Sequence, residues 1–106
     1  MPKLLPPIHP GEHLLEDFMK PLDLSRNALA RELRVPPQRI SEIVQCRRSI
    51  SADTALRLAQ FFGTTPQFWL NLQTRYDLQV AFHTTGSELR LIRRRAAEPT
   101  PFTTII

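Results

Sequence analysis

Two adjacent prolines, Pro36 and Pro37, separate two short stretches of helical periodicity and forbid a single helix from running through both. The residue before a proline avoids helical angles, so Val35-Pro36 imposes an extended step, and a proline at the first helical position then starts a new helix. Upstream, Ser25 stands as an N-cap before Ala28, Leu29 and Leu33, which predicts a short helix ending near Arg34. Downstream, Ile40, Ile43 and Val44 fall at i, i+3 and i+4 of a helix over Gln38–Gln45. Gln38, Arg39, Ser41, Glu42 and Gln45 are left for its opposite side, a face that is either solvated or reads something.

The remaining periodicity is also helical. Leu14, Leu15, Phe18 and Leu22 recur at helical intervals over Gly11–Leu22, with Glu12, Glu16 and Asp17 near the front, where the dipole favours them. Pro21 and Asp23 punctuate this first helix. Ser51 or Asp53 caps a fourth, in which Ala55, Leu56, Leu58, Ala59 and Phe62 form a wide apolar stripe stopped by Gly63. Thr64-Thr65-Pro66 opens a fifth, whose Phe68, Trp69, Leu72 and Tyr76 are most simply core. No segment before residue 78 alternates with a period of two, so an all-α chain of five helices is expected. Residues 1–85 form the expected domain. Residues 86–106 are a short basic tail in which Glu88–Ile92 fits helix or strand; it is left open between a partner-binding segment and a disordered end.

A chain of 106 residues has room for one small domain. Its net charge of +4 is concentrated: residues 25–48 carry Arg26, Arg31, Arg34, Arg39, Arg47 and Arg48 against Glu32 and Glu42, while residues 1–24 are net acidic. Arg90, Arg93, Arg94 and Arg95 make a second, smaller basic patch near the end. This distribution points to a polyanionic partner, although a solvated charged face gives the same count. No apolar run approaches the roughly 18–20 residues of a membrane span, and prolines interrupt the start before any signal-type apolar core forms. A cytoplasmic protein with no membrane role is therefore expected. The single cysteine, Cys46, allows neither an internal disulfide nor a zinc cluster. His9 and His13 lie four apart, but Pro10 and Gly11 break the helix between them, so both are read as structural and no metal or cofactor is expected. His83 has no neighbouring partner. With no phosphate-cradling glycine loop, nucleophile elbow or paired carboxylates, enzymatic activity is not expected; a basic ribonuclease needs strands that this chain lacks through residue 78.

Two short helices about a tight proline-bearing turn make a helix-turn-helix arrangement. Its second helix must be seated by its apolar underside and tipped with donors that reach base edges, and Gln38 and Arg39 occupy that tip. Gln suits adenine and Arg suits guanine, while Ser41 and Gln45, one turn along, are within reach of bases or phosphates. A plain helical bundle with a polar surface fits the periodicity equally well.

The order and spacing of the HPGE, ALA, VPP, RIS, RR, ADTALRLA and FWLNLQ elements decide between them, because from Ile8 to Leu78 the chain closely resembles the HigA/VapI-type antitoxins. These are a branch of the Cro/C1-like (XRE) helix-turn-helix repressors. The resemblance implies an antitoxin of a type II toxin–antitoxin module. Such a protein represses its own operator as a dimer on double-stranded DNA and neutralises a RelE-fold toxin that cleaves messenger RNA; it would be nucleoid-associated. Gln38, Arg39, Ser41 and Gln45 are then the expected base contacts, and Ser25, Arg26, Asn27, Arg47 and Arg48 the expected phosphate contacts. The chain departs from the family pattern at Arg26, where glutamine is usual, and at Gln45-Cys46, where Asn-Gly is usual. The alternatives are an interaction module that inhibits a toxin without binding an operator, and an ordinary regulator of the same group.

Overall fold

The computed structural model describes residues 6–95. Helix α1 spans Pro10–His13 and continues as a wider π-helical stretch over Leu14–Met19; α2 spans Arg26–Leu33, α3 Pro37–Val44, α4 Ala52–Phe62 and α5 Pro66–Leu89. Counting the π-helical stretch with α1, these are the five expected helices, and the described residues contain no strand.

Every helix but α3 starts at a side-chain cap, and α3 opens on Pro37 at its first position instead. His9 is the N-cap of α1: its Nδ1 accepts from the Gly11 amide at 2.9 Å, and Pro10 fills the first helical position. Ser25 Oγ accepts from Ala28 N at 3.0 Å, and Thr65 Oγ1 from Phe68 N at 3.1 Å. Of the two candidates for α4, Ser51 is the cap, accepting from Thr54 N at 3.3 Å. Asp53 is thereby left in the first turn with its carboxylate free for other partners.

The first helix ends sooner than an α-helical count predicts. Its bonding widens to i→i+5, with Lys20 N on Leu15 O and Leu24 N on Met19 O, both at 2.9 Å, and the chain turns at Asp23 with φ 51°. Leu22 consequently lies in the turn and is 62% exposed rather than in the core. Leu56 and Phe68 are likewise exposed, because α4 and α5 each bury a narrower stripe than the apolar pattern suggests.

One core joins the helices. Ile40 and Ile43, fully buried on the underside of α3, share it with Leu29, Ala30 and Leu33 of α2, Leu14 of α1 and Leu58 of α4. Burying such a side chain contributes about 1.5–3 kcal/mol, so the two isoleucines fix α3 firmly on its base. Trp69 of α5 is also fully buried, with Phe18 against it at a centroid distance of 4.8 Å and its Nε1 donating to Thr64 Oγ1 at 2.7 Å. Buried Gln73 accepts from the Ile50 amide at 2.8 Å and donates to Asp77 at 2.9 Å, tying the loop after α3 to α5.

Helix α5 continues past residue 85 to Leu89, through Gly86. An interior glycine costs about 1 kcal/mol relative to alanine, but the Phe82 ring lies over this one, 3.6 Å from where a Cβ would stand. Beyond Gln73 no residue of the helix is buried. Its far half projects from the core with Leu78, Phe82 and Leu89 exposed along one side. Glu88 and Leu89 are thus helical, and Arg90–Ile92 turn away. The apolar tail residues Phe102, Ile105 and Ile106, and Pro99 and Pro101, lie outside the described residues.

Candidate nucleic-acid interface

Helix α3 presents its N-terminal tip because the Pro36–Pro37 step leaves Gln38 exposed and Arg39 half-exposed in its first turn. Gln38 Nε2 donates to Glu42 Oε2 at 3.2 Å, one turn along the same helix. Glu42 also receives Arg48 Nη1 on its other oxygen at 3.0 Å. Arg39 Nη1 lies 2.8 Å from Asp53 Oδ2, so the first turn of α4 stands beside the tip of α3.

The first turn of α2 faces α3. Arg26 is half-buried, and its Nη1 donates to Ser41 Oγ at 3.4 Å, a long bond that joins two residues fifteen positions apart. Ser25 accepts the Ala28 amide through its oxygen, which leaves its hydroxyl hydrogen available to an outside acceptor. Asn27 beside it is exposed. Three of the expected phosphate contacts thus sit at the N-terminus of α2, where free amides and the dipole favour an anion.

The chain leaves α3 through a Schellman-type end, with Cys46 N on Ile43 O at 3.0 Å and Arg47 N on Glu42 O at 2.9 Å. Cys46 takes the left-handed position at φ 63°, where glycine is the residue at ease. The residue is exposed as a whole, but desolvation of its thiol, then the nearby Glu12 carboxylate, raises that thiol above the ordinary 9.0. The thiol is therefore neutral and unsuited to nucleophilic work. This turn keeps Arg47 and Arg48 exposed directly after α3, and Arg47 has no acidic partner among the described residues. Gln45, at the end of α3, is exposed.

Gln38, Arg39, Ser41 and Gln45 therefore belong to α3 and its end, with Arg26 bonded to Ser41 and Arg47 and Arg48 following. Sequence reasoning missed Asp53, considered there only as a cap, and Arg57, whose Nε lies 3.0 Å from Asp53 Oδ2. Their i, i+4 spacing was the available signal; the closure onto Arg39 required the fold. No cluster of three or more metal-ligating side chains occurs among the described residues, and none of their helices is long and apolar enough to cross a membrane.

The family model for helix-turn-helix domains matches residues 15–69. The chain is 57% identical over 77 residues to virulence-associated protein I of Dichelobacter nodosus, covering 73% of this chain and 71% of that one. Among solved structures, the Pseudomonas aeruginosa antitoxin HigA with the higBA promoter superposes with a TM-score of 0.81 at 42% identity, over 86% of this chain and 99% of that one. The antitoxin GraA in complex with its operator superposes with a TM-score of 0.82 at 43% identity, over 92% and 99%. These are families of DNA-binding regulators rather than enzymes. Helix order, the exposed tip of α3 and likeness over nearly the whole length of the solved antitoxins agree, and the chain belongs to the HigA/VapI-type antitoxins of the helix-turn-helix family.

Proposed function

We propose that this protein is the antitoxin and autorepressor of a type II toxin–antitoxin module. It binds double-stranded operator DNA as a homodimer and neutralises a RelE-fold toxin that cleaves messenger RNA. The observation that carries the DNA half is α3, whose first turn holds Gln38 and Arg39 outside the core, with Arg26 bonded to Ser41 and Arg48 to Glu42 further along the same helix. Gln38, Arg39, Ser41 and Gln45 read base edges, while Ser25, Arg26, Asn27, Arg47 and Arg48 hold phosphates. Support comes from relatives solved with a promoter or an operator. Arg48 must then exchange Glu42 for a phosphate, a small step because an exposed ion pair contributes about 0–1 kcal/mol.

The dimer is supported by the free half of α5. Leu78, Phe82 and Leu89 recur at helical spacing along a projecting segment that nothing in the chain covers among the described residues. A second copy laid along that seam buries it, and a dimeric reader of this kind presents two α3 helices to half-sites about one helical turn apart. The toxin half rests on family membership and on the basic, apolar residues from Leu89 to Arg95, which we assign to residues 86–106 as a partner-binding segment. A repressor bound to operator DNA would be nucleoid-associated.

The test is a titration of the protein against the duplex upstream of its own reading frame and against a scrambled duplex, across a salt series. Operator binding should be tight and strongly salt-dependent, and binding to the scrambled duplex much weaker. Equal affinity for both overturns the repressor assignment. Sedimentation of a Leu78→Asp, Phe82→Asp double variant tests the seam, since an unchanged dimer mass contradicts it. Co-expression with the product of the neighbouring reading frame tests the toxin half, which fails if growth inhibition by that product is not relieved.

A further inference from the structure

Asp53, in the first turn of α4, shares one carboxylate oxygen between two arginines. Oδ2 lies 2.8 Å from Arg39 Nη1 on α3 and 3.0 Å from Arg57 Nε on α4. Arg57 is itself anchored, because its Nη1 donates to the Leu33 carbonyl at 2.8 Å and to the Arg34 carbonyl at 3.3 Å. Those carbonyls close α2, whose left-handed end is Arg34 at φ 59°. They lack onward partners along the helix, and the negative end of the dipole favours a guanidinium there. A continuous chain of bonds therefore runs from the end of α2, through Arg57 and Asp53, to the tip of α3.

Asp53 and Arg57 line an open surface groove of about 490 Å³ between α2 and α4. Packing does not hold this cluster; its bonds do. Single exposed ion pairs are weak, but a network anchored on backbone carbonyls orders its members together. The Arg57 bond first, and the Arg39 bond second, hold the Asp53 carboxyl below the ordinary 3.8, so the carboxylate stays charged. A guanidinium carries five N–H donors in a planar fork. Asp53 engages one terminal nitrogen of Arg39, whose remaining donors have no partner among the described residues.

The geometry points to Asp53 as a specificity-determining positioning residue, which fixes the Arg39 fork so that its free donors meet one base pair in one orientation. The inference rests on the assignment of α3 as the base-reading helix. It carries an unusual combination of signs. A fork held in place loses less freedom on binding the correct base, so Asp53 strengthens discrimination. As an anion beside a DNA-facing surface, the same carboxylate weakens general attraction to phosphates. Removing it should lower sequence preference while leaving non-specific affinity unchanged or higher, whereas a folding defect lowers both.

The experiment uses the full chain with Asp53→Ala and Asp53→Asn, titrated at one fixed salt concentration. The probes are the upstream operator duplex, a series with single base-pair changes in each half-site, and a scrambled duplex. Asp53→Ala should cut the preference at the base pair read by Arg39 by about tenfold without weakening binding to the scrambled duplex. Asp53→Asn, which keeps an acceptor in the first turn of α4, should retain part of that preference and secures the result if the alanine variant does not fold. In an Arg39→Ala background, Asp53→Ala should change the preference by less than about twofold, because the two act as one unit. An unchanged or sharpened preference in the single variants overturns the inference, as does an equal loss in the Arg39→Ala background. If Arg39→Ala alone leaves every base preference intact, the base-reading assignment has failed and this inference fails with it. That outcome differs from normal Arg39 dependence with an inert Asp53, in which only the positioning role is lost.

Discussion

Gly11 rests directly on the Ile43 carbonyl: a Cβ built on Gly11 would fall 1.8 Å from that oxygen. The obstruction is backbone of α3, which cannot rotate aside as a side chain can. The first turn of α1 is thus the rear support of the last turn of α3, and glycine is required there for space. Gly11→Ala should cost about 1–3 kcal/mol or more through overpacking. It should also weaken operator binding, since relief comes by moving one helix off the other. Thermal denaturation gives the first effect, and an unchanged Tm contradicts the contact.

His9 supplies a pH dependence. Its Nδ1 accepts the Gly11 amide, so the neutral ring carries its proton on Nε2, and the ring sits edge-on to Tyr76 at 4.9 Å. Burial lowers its pKa below the ordinary 6.5, with the Asp77 and Glu12 carboxylates opposing. Between the folded and unfolded values the unfolded chain binds more protons, so stability rises with pH. It is complete above about 6.5 and is lost as pH falls through that window. Melting at pH 7.5 and 5.5 should show the loss in the natural chain and little of it in His9→Asn, which keeps a capping acceptor but does not titrate. Identical pH responses in the two proteins contradict the assignment.

Cys46 carries backbone strain that glycine would relieve. A left-handed residue with a Cβ costs about 1–2 kcal/mol, partly offset by the extra freedom glycine brings to the unfolded chain. Cys46→Gly should therefore raise Tm by a few degrees while leaving operator preference unchanged. A lower Tm would show that the contacts of the cysteine side chain outweigh the strain.

Most of the fold was legible in the sequence because its signals are local. Ser25, Pro37, Ser51, Gly63 and Thr65 each act within one turn of where they stand. What escaped depends on geometry of another kind. The exposure of Leu22 follows from i→i+5 widening, which shifts every later residue off a 3.6-residue count. Helix α5 runs on through Gly86, where the Phe82 ring lies against the glycine, a contact no propensity scale registers. In the site, the tip of α3 and its flanking arginines could be placed from spacing. The Arg26–Ser41 and Arg39–Asp53 contacts join residues fifteen and fourteen apart, respectively, on different helices and exist only once the core has set the angles.

Phosphate contacts should show themselves through salt. Each lost contact releases fewer counterions and flattens the plot of log K against log salt by about one unit. Arg47→Ala and Arg26→Gln should each do so while weakening operator and scrambled duplexes alike. A loss confined to the operator would assign that arginine to base reading instead.

The central claim is that the tip of α3 reads sequence, and Arg39→Ala tests it most directly. Titrated beside the natural protein at one salt concentration, the variant should lose about 1–3 kcal/mol of discrimination at one base pair of each half-site. Its binding to a scrambled duplex should change much less. If operator and scrambled duplexes weaken by the same factor, Arg39 is a phosphate contact and the base-reading account of α3 is wrong.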